Sequence, residues 1–408
     1  MGAIAGPAVS PALAADSVRE QQWHLDVMKA PDMWKTSKGQ GVTVAVIDSG
    51  FKLDHPDLAG QFLPGKDFSG LPGGIGDDKT GHGTQMASII AGTGRGLNGK
   101  GAYGLAPGAR ILPLKIKNSL NSGSSVSSSE FLGQIGQAIV YAADRGAKVI
   151  SVSQGGAASN ASDSDAAALK SAVAYASGKG SLVLASVGNS GQEGSPVEYP
   201  GAIPLVLGIG AVDQSGKGTA ESDEGPQVDL VAPGVDIYSA CTANSGYCKG
   251  HGTSDATAVV SGSAALVWAV HPDWNGNQIA RVLLNTAGKP TDGSGRNDSV
   301  GYGAVRPRVA LTEPGDPGPA DVSPIPEQPV GVPSASASPS AVASSASAGS
   351  GAAPTEDSTP VGSPAVRPEA DGVSGSGSVV PLVVAVVVGL VLVAGVVFFV
   401  VRRRAAAR

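Results

Sequence analysis

Short, mostly apolar runs alternate with alanine-rich stretches of helical length over about 290 residues, Trp23 to Thr312, and this restricts the fold more than any other feature. The runs Val42–Ile47, Arg110–Ile116, Lys148–Val152, Leu182–Ser186 and Leu205–Ile209 have the length of strands, and Glu130–Asp144 and Ala166–Ser177 that of helices. Strands that alternate with helices pack as a parallel sheet covered on both faces, so the pattern predicts an α/β fold with a mostly parallel central sheet flanked by helices. Ligands in such sheets bind beyond the carboxyl ends of the strands, where this chain carries its most polar short motifs.

The rest of the 408 residues has a different character. Residues 379–401 carry no charge and are rich in Val and Leu. As a helix they would extend about 34 Å, enough for a hydrocarbon core of about 30 Å. Arg402, Arg403, Arg404 and Arg408 follow, so 379–401 is expected to be one transmembrane helix and 402–408 a cytoplasmic basic tail. At the other end, residues 1–14 are small and apolar and close on Ala12-Leu13-Ala14, but lack a basic leader. They read as a truncated signal peptide, with 15–35 as an N-terminal extension. Residues 313–378 hold 12 of the 29 prolines, no aromatic residue and much Ser, Ala and Gly. Such a linker cannot bury enough apolar surface to offset its ordering entropy and is expected to be a disordered stalk, roughly 45 Å end to end. The expected topology is a single-pass protein of the cell membrane with its large body, 36–312, outside.

Charge and cysteine content exclude several functions. A net charge of −6 gives no basic footprint for nucleic acid. Two cysteines rule out a disulfide-dense scaffold and any multi-cysteine metal or iron–sulfur site.

Three motifs carry chemistry. In VAVIDSG, Asp48 directly follows an apolar run; in DDKTGHGTQMASIIAG, His82 sits between glycines before a helical pattern; in KGHGTSDATAVVSGSAALVWA, Ser254 opens a long helix of small residues. Each has a plain alternative: a strand-end turn aspartate, an exposed loop histidine, a helix N-cap serine. Taken together, Asp, His and Ser in that order with those flanks resemble the subtilase pattern. DHPDL (54–58), GLAPGA (104–109), VISVSQGG (149–156), SVGNSG (186–191), VAPG (231–234) and GYG (301–303) extend the resemblance over the whole body.

The resemblance implies a subtilisin-like fold and a serine endopeptidase needing no cofactor. Ser254 would be the nucleophile, His82 the general base and Asp48 the group that orients the imidazole. The Asn189 side chain and the Ser254 backbone N–H would form the oxyanion hole, and Ser153, Gln154, Gly155 and Gly188 would bind substrate backbone. GHGT occurs twice, but His251 lies on the same local turn as Ser254, so His82 is preferred as the base. His24, His55 and His271 are read as surface residues without a catalytic role. Gln154 stands where the family commonly has Leu, Asp255 where Met or Phe is usual, and Ala258 where Pro is frequent.

Cys241 and Cys248 flank a short loop before Ser254, and outside the membrane a disulfide is expected, two reduced buried thiols being the alternative. DGSGRND (292–298) has a faint likeness to a calcium loop, with a plain surface turn as the stronger reading; no other metal site is expected. The overall layout, with REQQWHLDVM ahead of the body, resembles the mycosins, membrane-anchored proteases associated with type VII secretion. That implies secreted protein substrates, a secretion complex of the membrane as partner, and no nucleic acid. A structural scaffold with dispensable proteolysis, or a general degradative surface protease, are the alternatives.

Overall fold

The computed structural model describes residues 17–325, and its centre is a seven-stranded parallel sheet. The strands are β1 (Thr43–Asp48), β2 (Lys66–Asp67), β3 (Arg110–Lys115), β4 (Val149–Val152), β5 (Leu182–Ser186), β6 (Val206–Val212) and β7 (Leu230–Pro233). Their order is β2-β3-β1-β4-β5-β6-β7. Alternate side chains along each strand feed two cores. Val44, Val46, Val149, Leu184 and Ile209 join one apolar cluster, and Ala45, Ile47, Ile150, Val183 and Ala185 the other. Burial on both faces explains why the runs read as continuously apolar.

Helices α1 (His82–Ala91), α4 (Thr253–Val270) and α5 (Gly276–Asn285) contribute to the first core, α2 (Ser128–Asp144) and α3 (Asp163–Gly178) to the second. The expected strands and helices are present, with shifted ends. Helix α2 starts before Glu130 because the Ser127 side chain accepts a hydrogen bond from the Glu130 N–H, and α3 starts before Ala166 because Ser162 and Asp165 form a capping box. Helix α4 is buried nearly all round, which its run of Ala, Gly and Ser permits by letting neighbours approach closely.

A hairpin of β8 (Ile237–Ala240) and β9 (Tyr247–Gly250) leads into α4. The Cys241–Cys248 disulfide crosses it. Closing so short a loop contributes roughly 2–3 kcal/mol in the chain-entropy model.

Two expectations need correction. His24 and His55 are buried, not surface residues: His24 lies in the short helix Trp23–Val27 packed on the body, and His55 stacks edge-on against Tyr247 while its Nε2 meets the Gly246 carbonyl at 2.9 Å. From residue 17 onward the extension packs on the body, with Leu25, Ala30 and Met33 buried in the first core. Residues 314–325, expected to open a disordered stalk, instead lie against α5. The Arg281 guanidinium donates to the carbonyls of Pro317, Pro319 and Val322, and Asn275 and Asn277 both donate to the Ala320 carbonyl. The prolines bring few N–H groups, so the helix supplies the donors.

Among the described residues no helix is long and apolar enough to cross a membrane. The expected signal peptide at 1–14 and the expected span at 379–401 lie outside the described residues, as does the linker beyond 325.

Candidate active site

Parallel register brings the motifs to one edge of the sheet. Asp48 ends β1, and Ile47 pairs with Val152 of the neighbouring β4, so Ser153-Gln154-Gly155 leaves the sheet beside Asp48. Val187-Gly188-Asn189 leaves β5 next to it. Helices α1 and α4 begin above this edge with His82 and, at its second position, Ser254.

His82 is placed by the loop before it. The Asp78 carboxylate accepts hydrogen bonds from the N–H groups of Gly81 and Thr84 and from the Thr84 hydroxyl, which holds the first turn of α1. Fully buried Lys115 donates to the carbonyls of Gly74 and Asp77 and fixes the loop from beneath. Gly83 is obligatory for closeness, since a methyl there would collide with the Gly50 carbonyl oxygen.

The geometry that results pairs His82 Nδ1 with Asp48 Oδ1 at 2.8 Å and Oδ2 at 3.0 Å. Asp48 is fully buried and also accepts from the Ser49 N–H at 2.7 Å. Burial alone would lower the His82 pKa, but the charge and hydrogen bond of Asp48, backed by Asp255 and Asp78, carry it up to about 9. With Nδ1 committed to the carboxylate, Nε2 is the nitrogen left to exchange a proton.

Ser254 is 8% exposed, and its hydroxyl donates to the Ser153 carbonyl at 3.3 Å. At the second position of α4 its N–H has no partner within the helix. Asn189 is oriented by Thr253, whose N–H and hydroxyl both donate to Asn189 Oδ1, at 2.8 and 3.0 Å. This leaves the amide Nδ2 as the free end, beside the start of the helix. His251 is not drawn in: it is exposed, and its Nδ1 meets Glu221 at 2.9 Å. The structure therefore brings together Asp48, His82, Gln154, Ser153, Ser254 and Asn189, with Gly155 and Gly188 on the flanking walls.

Two of the departures noted in the sequence acquire a physical setting here. Gln154 Nε2 donates to Asp48 Oδ1 at 3.2 Å while its Oε1 accepts from Asn118 at 3.0 Å, so the side chain where Leu is common joins the carboxylate's hydrogen-bond network. Asp255 is buried with Oδ1 unpartnered, and burial pushes its pKa up to about 7 against the lowering pull of His82 and His251. The Gln154 contact has no local signal, because it depends on residues remote in sequence.

The 292–298 segment does not fit a cation. Asp292 is bonded to Ser294 and Asn297 of its own turn, and Arg296 pairs with Asp298. Among the described residues no three acidic, histidine or cysteine side chains converge as a metal site. A cavity of about 820 Å³ between α2 and α3 contains none of the motif residues.

Fold and site together define a serine endopeptidase of subtilisin type. The chain belongs to the subtilase family, whose model matches residues 39–303. It is 35% identical over 274 residues to thermitase of Thermoactinomyces vulgaris, covering 66% of this chain and 89% of that protein. The crystal structure of MycP1 from Mycobacterium smegmatis is similar with a TM-score of 0.66 at 28% identity, covering 78% of this chain and 90% of that one. A chain in the periplasmic assembly from the ESX-5 inner membrane complex is similar with a TM-score of 0.63 at 29% identity, covering 78% and 90%.

Proposed function

We propose that this protein cleaves secreted proteins at the outer face of the cell membrane, in association with a type VII secretion complex, and that Ser254, His82 and Asp48 perform the cleavage. The observation that carries the chemistry is the buried Asp48 carboxylate on His82 Nδ1, at the sheet edge where Ser254 opens α4. Ser254 Oγ attacks the peptide carbonyl, His82 Nε2 takes its proton and later gives it to the leaving amine, and Asp48 holds the tautomer and stabilises the imidazolium. The hydroxyl's present bond to Ser153 must be exchanged for one to His82 when substrate binds, as nucleophile–base contacts often tighten only in the complex. Asn189 Nδ2 and the Ser254 N–H receive the developing oxyanion. Substrate backbone adds as a strand along Ser153–Gly155 and Gly188.

The secretion role is supported by similarity to MycP1 and to the ESX-5 assembly, and by the sequence layout of 313–408. In this reading the body stands outside, anchored through 379–401.

Fluorophosphonate labelling and peptide hydrolysis test the chemistry. Ser254→Ala is expected to abolish both, and His82→Ala to lower hydrolysis by about 10⁴-fold or more. His251→Ala should leave substantial activity. Labelling that persists in Ser254→Ala would remove that serine from the nucleophile's role. Comparing proteins secreted by cells with the gene deleted and cells carrying Ser254→Ala separates proteolysis from scaffolding: secretion lost only on deletion would favour the scaffold.

A further inference from the structure

The cleft beside Ser254 contains two carboxylates that the mechanism does not use. Glu198 lies in the short antiparallel pair formed by Gly156–Ala157 and Glu198–Tyr199, which sets it against the wall that leaves β4. A methyl group placed on Gly155 would lie 2.5 Å from Glu198 Oε2. A methyl on Gly188, in the opposite wall, would collide with Asp223 Oδ2 and lie 2.8 Å from Glu198 Cδ and 3.0 Å from Asp223 Cγ. Being that close to one point, the two carboxyl carbons are within about 6 Å of each other, the range in which like charges oppose each other's ionisation.

Among the described residues both groups lack a counter-ion: neither forms an ion pair with a lysine, arginine or histidine. Asp223 is fully buried; its Oδ1 accepts from the Ser190 N–H at 2.8 Å, while Oδ2, on the Gly188 side, has no hydrogen-bond partner. Glu198 is half-buried. Burial, with the charge of Asp223 adding to it, pushes Glu198 up to about 7. Burial also pushes Asp223 up to about 6, opposed by the Ser190 bond and helped by Glu193. Two crowded acids with an unsatisfied oxygen and no cation form an incomplete arrangement, which a positive charge entering the cleft would complete.

Position identifies the source of that charge. Gly155 lies two residues past Ser153, whose carbonyl is 3.3 Å from the Ser254 hydroxyl, and Gly188 adjoins Asn189. A substrate whose carbonyl sits between Ser254 and Asn189 therefore directs the side chain of the same residue between these two glycines. A calcium ion would require six or more oxygens, and no third acidic side chain converges here. An ammonium or guanidinium needs only the pair.

We propose that Glu198 and Asp223 form a cation-recognition site that seats the lysine or arginine side chain of the substrate residue whose carbonyl Ser254 attacks. The site rests on the cleavage reading given above, and it makes the enzyme selective for cutting after basic residues.

Peptides that differ only in Lys, Arg, Leu or Phe before the scissile bond test it, compared by kcat/KM near pH 8, above the values of both carboxyls. The basic peptides are expected to exceed the apolar ones by about tenfold or more, because an apolar side chain leaves the carboxylates unpaired. Glu198→Gln should reduce that ratio by a similar factor, and Glu198→Lys should reverse the sign of the preferred charge. A second measurement does not depend on turnover: benzamidine binding to the Ser254→Ala protein by calorimetry, against neutral benzamide. Benzamidine should bind at least about tenfold more tightly, an advantage that Glu198→Gln removes. Equal or better cleavage after Leu, or benzamidine binding no tighter than benzamide, overturns the site. Failure of wild-type protein to take a fluorophosphonate would count against the Ser254 reading, and the benzamidine result would still decide this one.

Discussion

Three acidic side chains around one histidine set the working range of the cleft. Asp48 holds Nδ1 directly, while Asp255 and Asp78 act through space, and together they outweigh the cost of burying a charged imidazole. A general base must be neutral to accept a proton, so a histidine raised to about 9 acts more strongly as pH rises through that value. Asp255→Asn removes one raising charge without changing the shape of the side chain. The acid limb of the kcat/KM profile should then move to lower pH, with higher activity near pH 7 than wild type; a profile that does not move would mean that Asp255 holds its proton throughout the working range. Asp48, His82 and Ser254 were legible as candidate site residues because each lies in a short motif whose neighbours, a buried strand or a glycine-flanked helix start, reveal its setting. Gln154 was visible as a substrate-binding position and a departure, but its contact with Asp48 was not, since it spans 106 positions and comes from strand register. His55 was misplaced for the same reason: its partners, Gly246 and Tyr247, come from β9 and the turn before it.

Helix α1 shows how an element transmits position to a site. Its first residue is His82 and its second, Gly83, rests on the backbone just past β1. Gly83→Ala must lift the start of the helix away from β1, lengthening the Asp48–His82 contact while leaving the ten-residue helix and its buried face in place. Displacements of about 1 Å in a catalytic group cost about 10²-fold. The expected result is a loss of that size in kcat/KM with unchanged circular dichroism, and wild-type activity would show that the sheet yields instead. Elements with strong apolar patterning were readable, including the five expected strands. Strand β7 was not, because it is four residues long and ends on Pro233 before a glycine. The hairpin β8–β9 was missed because Ser, Lys and Gly interrupt any alternation, and pairing with its own partner strand and the disulfide hold it instead.

On the scale of the whole body, the ends of the described chain brace the sheet that carries the site. The N-terminal segment from 17 inserts Leu25, Ala30 and Met33 into the same core as α1 and α4. It is also pinned by side chains: Gln22 bonds the backbone of Tyr103 and Tyr238, Trp23 the Val235 carbonyl, Trp34 the Leu105 carbonyl and Ser37 the Leu266 carbonyl. Composition could not reveal this, because a short stretch with mixed polarity becomes core only where distant elements leave room for it. Burying one Leu or Met side chain contributes roughly 1.5–3 kcal/mol, so losing Leu25 and Met33 alone should cost about 3–6 kcal/mol before any cavity left behind is counted. A domain of ordinary stability has about 5–15 kcal/mol in total. A chain of residues 38–325 should therefore melt far below one of residues 17–325, or fail to fold, and should lose peptidase activity with the fold. Urea unfolding of the two chains measures it directly. Equal midpoints would mean that the segment is a removable cover on a self-sufficient body, and that the core closes over the space left by Leu25 and Met33.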